Sequence, residues 1–396
     1  METCLPLREG ERYFRRVRII GIMSGTSHDA IDVAAAEFTH TDGELRLRPL
    51  GDLSVEHDPD LREALVAALP PARTSFAEVC ALDTRLGRAF ADAAAKGLAV
   101  LCDGEADLVV SHGQTVYHWV ADGHAHGTLQ IGQPAWIAAA TGLPVVADLR
   151  SADIAAGGQG APLVPVLDAG LLRPGQAALN IGGIANITAI GDAGDVTAYD
   201  LGPGNALIDA AAREHFGLPF DDGGLLASAG SVDAALLLRL IDEPYYRMPP
   251  PKSTGKELFH GGYVANPGLS GADLIATLTE LTARVITTEA VWLGVREVYA
   301  SGGGVRNPVL MGRVRDLAEG RFELRETDEL GVPADAKEAY AFALLGWLTW
   351  HGLPGALPSV TGASRAAVLG SITPGTAPLR LPEPLPGWSG RIRVTP

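Results

Sequence analysis

The chain has 396 residues, which is long for a single hydrophobic core, so two domains are expected. An apolar fraction of 47% together with 48 glycines is typical of a compact globular protein with many tight turns. The formal net charge of −16 is spread along the chain, which disfavours a nucleic-acid or anionic-membrane partner.

Cysteine usage and the N-terminal sequence bear on the cellular compartment. Cys4, Cys80 and Cys102 are too widely spaced to indicate a disulfide framework or a zinc pattern. No segment has the roughly 18–20 uninterrupted apolar residues of a membrane span. The charged N-terminus also lacks the apolar core of a signal peptide. We therefore expect reduced thiols in a cytoplasmic protein.

Strands and helices are predicted in alternation after a polar extension that ends near Arg16. The strand-like runs are Arg18–Ile22, Ile31–Phe38, Asp107–Val110, Leu143–Ala147, Ala177–Ile181, Ala185–Ile190, Val196–Tyr199 and a run that begins at Val298. The helical stretches are Leu61–Leu69, Ala77–Leu101, Asn205–Phe216, Ser270–Leu293 and Ala336–His351. The proline-rich tail from Thr373 is expected to be extended or partly disordered.

Each half of the chain begins with strands joined by short turns, at residues 19–38 and 177–199. This repetition predicts an α/β fold of two halves, each a mixed β-sheet flanked by helices. The predicted division is an N-terminal extension at 1–17, a first domain at 18–145, a second domain at 146–375 and a C-terminal tail at 376–396.

Two common nucleotide-binding motifs are missing from the sequence. No G-x-G-x-x-G follows the first strand and no G-x-x-x-x-G-K-[ST] occurs, which argues against a dinucleotide-binding domain and a P-loop. The segment Lys252–Lys256 resembles a P-loop superficially, but it lacks the upstream glycine and the preceding strand.

The turn after the first strand suggests phosphate and metal chemistry. Gly25, Thr26 and Ser27 can bring backbone N–H groups and hydroxyls close to an anion. Asp29 and Asp32 supply carboxylates for a hydrated divalent cation beside that anion. A plain hairpin turn is the alternative.

Two polar clusters follow predicted strands, where α/β folds place ligands. In the first, His112 and Gln114 offer hydrogen bonds to a phosphate or a sugar hydroxyl, and a histidine packed in a turn is the alternative. In the second, Asp148 and Arg150 precede the glycine loop 157–160, a combination that suits a small polar ligand. An internal Asp–Arg pair at a domain hinge is the alternative there.

The remaining clusters lie in the second half. Asp200 is placed at a strand end before a helix, where it can act as a general base; the alternative is a turn residue that bonds its own loop amides. The glycines at 182–183 and 302–304 let phosphates and an adenosine approach the backbone, or are only loops. Glu338 lies near the predicted start of a helix. It is either a carboxylate that interacts favourably with the positive end of the helix dipole or a functional group of the site.

Taken together, these clusters resemble the superfamily of sugar kinases, heat-shock chaperones and actin, and more closely the anhydro-N-acetylmuramic acid kinase family. The motifs occur in family order over about residues 19–374. They are GIMSGTSHDAIDVA, SHGQTV, QIGQPAWIAAATGLPVVADLRSADIAAGGQGAPLVP, LNIGGIANIT, YDLGPGNALIDA, PPKSTGKELF, SGGGVRNPVLM and VTGAS. The resemblance implies two actin-like ATPase domains with the active site in the cleft between them.

The resemblance also implies a reaction and its site. Water opens a 1,6-anhydro amino sugar at its anomeric carbon while O6 takes the γ-phosphoryl group of ATP, with Mg²⁺, in peptidoglycan recycling. Asp200 matches the general base and Glu338 matches a glutamate near the reacting sugar. A homodimer is plausible by resemblance, and the metal ligands are not assigned. The implied ATP contacts are Gly25, Thr26, Ser27, His28, Asp29, Ala30, Ile31, Asp32, Gly182, Gly183, Gly302, Gly303 and Gly304, and the implied sugar contacts are His112, Gln114, Asp148, Arg150 and Gly158.

Three positions depart from the family pattern. His28 and Ala30 stand where the family usually has Leu and Gly, and Leu149 stands where it usually has Phe. We therefore expect a slightly remodelled phosphate turn and a retained activity. Two alternatives stay open: a kinase for another anhydro sugar such as levoglucosan, and a non-catalytic nucleotide-binding member of the superfamily, against which the retained Asp200 argues.

Overall fold

The computed structural model describes residues 16–25, 28–41, 43–255, 258–264 and 268–396. The strands are β1 (Val17–Ser24), β2 (Ala30–Thr41), β3 (Glu44–Glu56), β4 (Leu108–Ala121), β5 (His124–Ile131), β6 (Val145–Ala147), β7 (Gln176–Ile181), β8 (Ile184–Ile190), β9 (Val196–Pro203), β10 (Glu297–Ser301), β11 (Glu323–Glu326), β12 (Ser371–Thr373) and β13 (Ile392–Val394). The helices are α1 (Pro59–Ala68), α2 (Phe76–Leu101), α3 (Pro134–Thr141), α4 (Ser151–Ala155), α5 (Pro165–Leu171), α6 (Ala206–Phe216), α7 (Leu225–Ala229), α8 (Ala234–Ile241), α9 (Gly271–Trp292), α10 (Pro308–Ala318), α11 (Lys337–Trp350) and α12 (Pro358–Thr361).

The long helices begin and end where local sequence signals place them. The Ser270 side chain accepts a hydrogen bond from the Asp273 amide at the start of α9, as the capping-box spacing predicts. Helix α6 ends at Gly217, which has the left-handed conformation of a glycine C-cap. The predicted helices are therefore confirmed to within a few residues at each end.

Two mixed sheets share one strand order. The larger sheet has the order β12-β6-β4-β1-β2-β3-β13, with β5 paired to β4, and the smaller has the order β11-β10-β7-β8-β9. In each sheet three consecutive antiparallel strands, β1–β3 or β7–β9, are followed by strands parallel to the first of the three. The predicted α/β fold with two mixed sheets and flanking helices is confirmed.

Both faces of the larger sheet are buried. Successive side chains of a strand point to opposite faces, so Ile19 packs in the cluster with α5 and α11 while Ile20 packs with α1, α2 and α3. A Cβ at Gly21 would overlap the backbone carbonyl of Ala339, which shows how closely α11 lies against β1. This packing fixes the position of the first turn of α11, which carries Glu338.

The larger sheet takes strands from both sides of the predicted domain boundary. That boundary falls inside β6, and β12 and β13 come from the end of the chain. The predicted division stays a proposal, and the pairing favours including β6, α11, β12 and β13 in the first unit. In the tail expected to be extended, β13 pairs in parallel with β3.

Sequence patterns missed four strands of the larger sheet: the long strands β3 and β5 and the three-residue strands β12 and β13. Strand β3 carries charged residues at alternate positions, and β5 is rich in histidine and glycine, so neither forms a continuous apolar run. Among the described residues, no single helix is long and apolar enough to cross a membrane, and one pair passes that test only together, across a 120° bend between 222–229 and 234–241.

Candidate active site

A cavity of about 270 Å³, the cleft cavity, lies between the two sheets. Its walls come from β2, α5 and α11 on one side and from β7–β10 on the other. Four residues singled out from the sequence line it: Asp32, Asp200, Gly302 and Glu338. The fold therefore brings together both residues expected to act on the sugar and two of the expected ATP contacts.

Asp200 lies inside β9 rather than at a strand end, because β9 continues to Pro203. It pairs with Asn186 of β8, and the register shifts there so that Leu201 is an extra residue. Such a bulge changes the direction of the strand and of the side chains beside it. The carboxylate oxygen Oδ2 accepts a hydrogen bond from the Thr254 amide at 3.0 Å, so this amide partner comes from a distant segment and not from its own loop.

Glu338 is the second residue of α11 and faces the cleft cavity. Burial raises the pKa of its carboxyl group above the usual range, while the positive charges of Lys337 and Arg150 act in the opposite direction. Lys337 itself is buried and forms an ion pair with Asp168 of α5 at 3.1 Å. The start of α11 thus presents to the cavity one carboxyl group that stays accessible to solvent, near the positive charges of Lys337 and Arg150.

The turn that connects β1 to β2, called the phosphate turn after the ligand expected there, is held by hydrogen bonds from Arg62 of α1. Arg62 donates hydrogen bonds to the His28 carbonyl at 3.0 Å and to Asp29 Oδ1 at 2.8 Å. His28 has a left-handed backbone with φ of 57°, and Ala30 is the first residue of β2. Thr26 and Ser27, both expected to contact phosphate, lie outside the described residues.

Two further residues of this motif, Ile31 and Asp32, lie inside β2 and have different surroundings. Ile31 is buried in the core and lies opposite Ser24 of β1 and Val55 of β3, so the structure gives its side chain a packing role and not the expected ATP contact. Asp32 lines the cleft cavity and accepts a hydrogen bond from Ser54 Oγ at 2.8 Å.

Gln114 lies behind the phosphate turn and is fully buried. Its Oε1 accepts from Ser24 Oγ at 2.7 Å, and its Nε2 donates to the Gly25 carbonyl at 3.3 Å. His57 Nε2 is 3.1 Å from the same Ser24 hydroxyl. Because both ends of the amide are engaged, the structure favours Gln114 as a brace for the turn over the expected sugar contact.

His112 and Arg150 form a buried pair. Strand β4 extends to Ala121, so His112 lies within a strand and not in a turn after it. Its Nδ1 is 2.8 Å from the Gly113 carbonyl, and Arg150 Nε donates to its Nε2 at 3.0 Å. Burial and the Arg150 charge lower the pKa of His112 to about 3, so the ring is neutral and accepts at Nε2.

A second cavity of about 320 Å³ contains other expected sugar contacts. His112 and Asp148 line it, together with Gln130. The His112 ring is 4.8 Å from that of Phe342, one helical turn after Glu338, so the start of α11 connects the two cavities. Gly158 is packed against Asp153, whose side chain a Cβ would overlap, which indicates a structural role for this glycine.

The glycines of the second half meet at one point. The carbonyls of Gly182 and Gly183 accept hydrogen bonds from the amides that begin α6. Gly302, with φ of 84°, has no room for a side chain, since a Cβ would lie 2.5 Å from Asn180 Oδ1. Gly303 and Gly304 continue into a 3-10 turn, Gly303–Arg306. The smaller sheet thus presents bare backbone at the edge of the cleft cavity.

The residues present fit a nucleotide with a magnesium ion. Mg²⁺ in phosphoryl-transfer sites is held by one or two carboxylates and by substrate phosphates. Asp32 supplies a carboxylate in the cavity, whereas Asp29 is paired with Arg62. Within the described ranges, no group of three or more His, Cys, Asp or Glu residues forms a ready-made metal site.

Sequence patterns missed several residues of the site. Lys252, Tyr245, Asp168 and Lys337 have no spacing signal of their own. Lys252 belongs to the segment that superficially resembles a P-loop, and that segment instead lies against Asp200. For Lys252, the only feature of the sequence that could have indicated a role in the site was its position in this polar, glycine-containing motif.

Comparisons with known proteins agree with the motif order. A family model described as anhydro-N-acetylmuramic acid kinase matches residues 17–375. Curated proteins of that name are similar over nearly their whole lengths. They come from Streptomyces avermitilis, with 57% identity over 94% of this chain and 98% of the relative, from Streptomyces coelicolor, with 54% over 93% and 96%, and from Rhodococcus erythropolis, with 50% over 96% and 99%.

Solved structures give a weaker likeness. The xylulose kinase from Rhodospirillum rubrum has a TM-score of 0.41 and 15% identity, covering 83% of this chain and 89% of that chain. The activator of the 2-hydroxyisocaproyl-CoA dehydratase from Clostridium difficile has a TM-score of 0.35 and 13% identity, covering 82% and 94%. Scores this low carry no argument about the site.

Proposed function

The chain belongs to the anhydro-N-acetylmuramic acid kinase family, and we propose that its cleft cavity couples hydrolysis of the 1,6-anhydro ring to phosphorylation of O6. The protein is an ATP-dependent kinase of an anhydro sugar in cell-wall recycling. The single observation that carries the residue assignment is that Asp200 and Glu338 face one cavity together with Asp32 and Gly302.

Asp200 acts as the general base. It takes a proton from a water molecule, whose oxygen forms a bond to the anomeric carbon C1 while the C1–O6 bond breaks. The electron pair left on O6 attacks the γ-phosphorus, and the bond to the ADP oxygen breaks. The products are the 6-phosphosugar and ADP, and Asp200 then releases its proton to solvent, which balances the reaction.

The other residues bind and orient the substrates. Phosphoryl transfer needs mainly positioning and charge stabilisation, so backbone donors of the phosphate turn and of Gly302–Gly304 hold ATP. Asp32, which lines the cavity, would hold Mg²⁺, and the bound ion would neutralise charge on the phosphates. Glu338 orients the sugar. His112, hydrogen-bonded to Arg150, lines the second cavity beside the sugar.

The coupled reaction is tested with anhydro-N-acetylmuramic acid and ATP in oxygen-18 water, with mass analysis at short times. We expect one labelled oxygen at C1 and an unlabelled phosphate ester at O6. Unlabelled 6-phosphosugar product, incubated in the same water, controls for exchange of the anomeric hydroxyl. Phosphorylated product that gains label no faster than this control would contradict the proposal.

A kinase for another anhydro sugar is the second candidate, because Leu149 replaces the usual phenylalanine beside Asp148 and Arg150. Leu149 is buried in the core, so it acts on the sugar only through its neighbours. Comparing kcat/KM on anhydro-N-acetylmuramic acid and levoglucosan separates the two: we expect a higher value on the amino sugar. The homodimer and the cytoplasmic location stay predictions.

A further inference from the structure

Asp200 is held in place by a segment that follows it by about 50 residues in the sequence, the anchor segment 245–255. The Asp200 amide donates to the Lys252 carbonyl at 3.2 Å. The Tyr245 hydroxyl donates to the Asp200 carbonyl at 2.7 Å, and the Thr254 amide donates to Oδ2 at 3.0 Å. Both main-chain groups and one carboxylate oxygen of Asp200 are therefore bonded to the anchor segment.

The anchor segment is itself fixed by a buried lysine. The Lys252 side chain is 1% exposed, and its Nζ is 3.3 Å from Glu289 Oε1. The ammonium group also donates to the Tyr246 carbonyl at 3.2 Å and lies 5.1 Å from the Tyr245 ring centroid. A buried charge is tolerated only with its partners in place, so this lysine favours one arrangement of the segment around it.

Glu289 connects this arrangement back to β9. It lies on α9, and its Oε2 accepts a hydrogen bond from the Tyr199 hydroxyl at 2.7 Å. Tyr199 directly precedes Asp200, and its ring lies 5.4 Å from the Lys252 ammonium. Burial raises the pKa of Tyr199, which keeps the hydroxyl protonated as a donor. The lysine, the glutamate and the tyrosine close a ring of contacts around the base.

We propose that Lys252 is a positioning residue for the general base, and that it acts by holding the Thr254 amide against Asp200 Oδ2. The inference rests on the proposed function of Asp200. A fixed donor on one oxygen stabilises the carboxylate form and directs the other oxygen toward the attacking water. Small displacements at this step are costly, since misplacement by about 1 Å can reduce a rate about 100-fold.

The amide is tested by replacing Thr254 with proline, which has no N–H, and with alanine, which keeps it. We expect kcat of Thr254→Pro to be at least about tenfold below that of Thr254→Ala, with KM for ATP within about twofold between them. A loss of fold would also lower the apparent kcat at constant KM, so kcat is calculated per folded molecule, with the folded fraction taken from ATP-binding stoichiometry and the thermal midpoint. Equal kcat values in the two folded variants would overturn the proposal.

The lysine is tested in a second pair, which also covers the case that Thr254→Pro does not fold. Lys252→Met leaves Glu289 without its ion-pair partner, whereas Lys252→Met/Glu289→Gln removes both charges, keeps a side-chain oxygen that can accept from the Tyr199 hydroxyl, and is expected to regain stability. We expect kcat to stay at least about tenfold below the unaltered protein in both, with KM for ATP retained. Recovery of kcat together with stability would assign Lys252 a purely structural role.

Asp200→Asn separates failure of this inference from failure of the proposed function. If that variant keeps a near-normal rate while binding ATP, Asp200 is not the base and the proposed function is wrong at this residue. If Asp200→Asn is inactive and Thr254→Pro matches Thr254→Ala, only the positioning role is wrong.

Discussion

At the scale of single residues, the site depends on side chains whose protonation is fixed by burial. His112 Nε2 accepts a hydrogen bond from Arg150 Nε. If Nε2 were protonated, its N–H group would face the N–H group of Arg150, and this hydrogen bond would be lost. Burial also lowers the pKa of Arg150 to about 10. The pair is therefore one neutral ring and one cation, a combination that leaves positive charge beside Glu338.

This pair predicts a pH dependence of stability. The pKa of His112 is lowered from 6.5 to about 3, so the unfolded chain binds the proton more readily than the folded one. The contribution of the neutral His112 ring to the free energy of unfolding is therefore fully present above the unfolded-state pKa. It is lost as the pH falls from that value toward the folded-state pKa. Between about pH 7.5 and about pH 5.5 we expect this group to reduce the free energy of unfolding by on the order of 1 kcal/mol.

Urea unfolding of the unaltered protein and of His112→Gln at both pH values measures this contribution. Glutamine can accept from Arg150 but does not titrate, and His57 and His118, whose pKa values are also lowered, are common to both proteins. The difference between the two proteins should shrink as the pH falls. A difference that is the same at both pH values would show that His112 does not protonate on unfolding.

At the scale of elements, α11 connects the core of the larger sheet to the cleft cavity. It is buried along nearly its whole length, and its second residue is Glu338. Gly21 allows β1 to contact the helix backbone at Ala339, the residue next to Glu338. The same close approach therefore determines both the packing of the sheet and the position of the carboxyl group.

We predict that Gly21→Ala costs about 1–3 kcal/mol of stability, because the added methyl group overpacks the contact between β1 and α11. It should also lower kcat, since α11 must shift to relieve the overlap. Chemical denaturation and steady-state kinetics measure the two effects. Gly312→Ala in α10, where a Cβ meets nothing within 4 Å, is the matched control and should be neutral or slightly stabilising. An unchanged stability in Gly21→Ala would show that α11 is not held at this contact.

At the scale of the whole molecule, the two sheets repeat one strand order and hold the cleft cavity between them. The candidate residues are divided between the two sides: Asp200 lies in the smaller sheet, Gly302 directly follows its strand β10, and Glu338 lies on a helix packed against the larger sheet. Ligands that contact both sides favour an arrangement in which the sides are closer.

We therefore expect closure when a non-hydrolysable ATP analogue and the anhydro sugar are both bound. Closure excludes water other than the attacking molecule. Small-angle scattering should show a radius of gyration near 21 Å per chain for a compact fold of this length, reduced by on the order of 1 Å with both ligands. Each ligand alone serves as the control. No change with both bound would contradict closure, and the same measurement gives the oligomeric state.

The sequence by itself determined the helices with strong caps, the alternating strand and helix pattern, and the motif order from which the family was identified. These features depend on neighbours within a few residues, such as Ser270 with Asp273, so they can be predicted without knowledge of the tertiary structure. The structure decided that Asp200 lies inside β9 beside a bulge, that Gln114 braces the phosphate turn, and that Glu338 meets Asp200 in one cavity. Only the tertiary structure could decide this, because strand register and helix packing are fixed by long-range burial that no local pattern encodes.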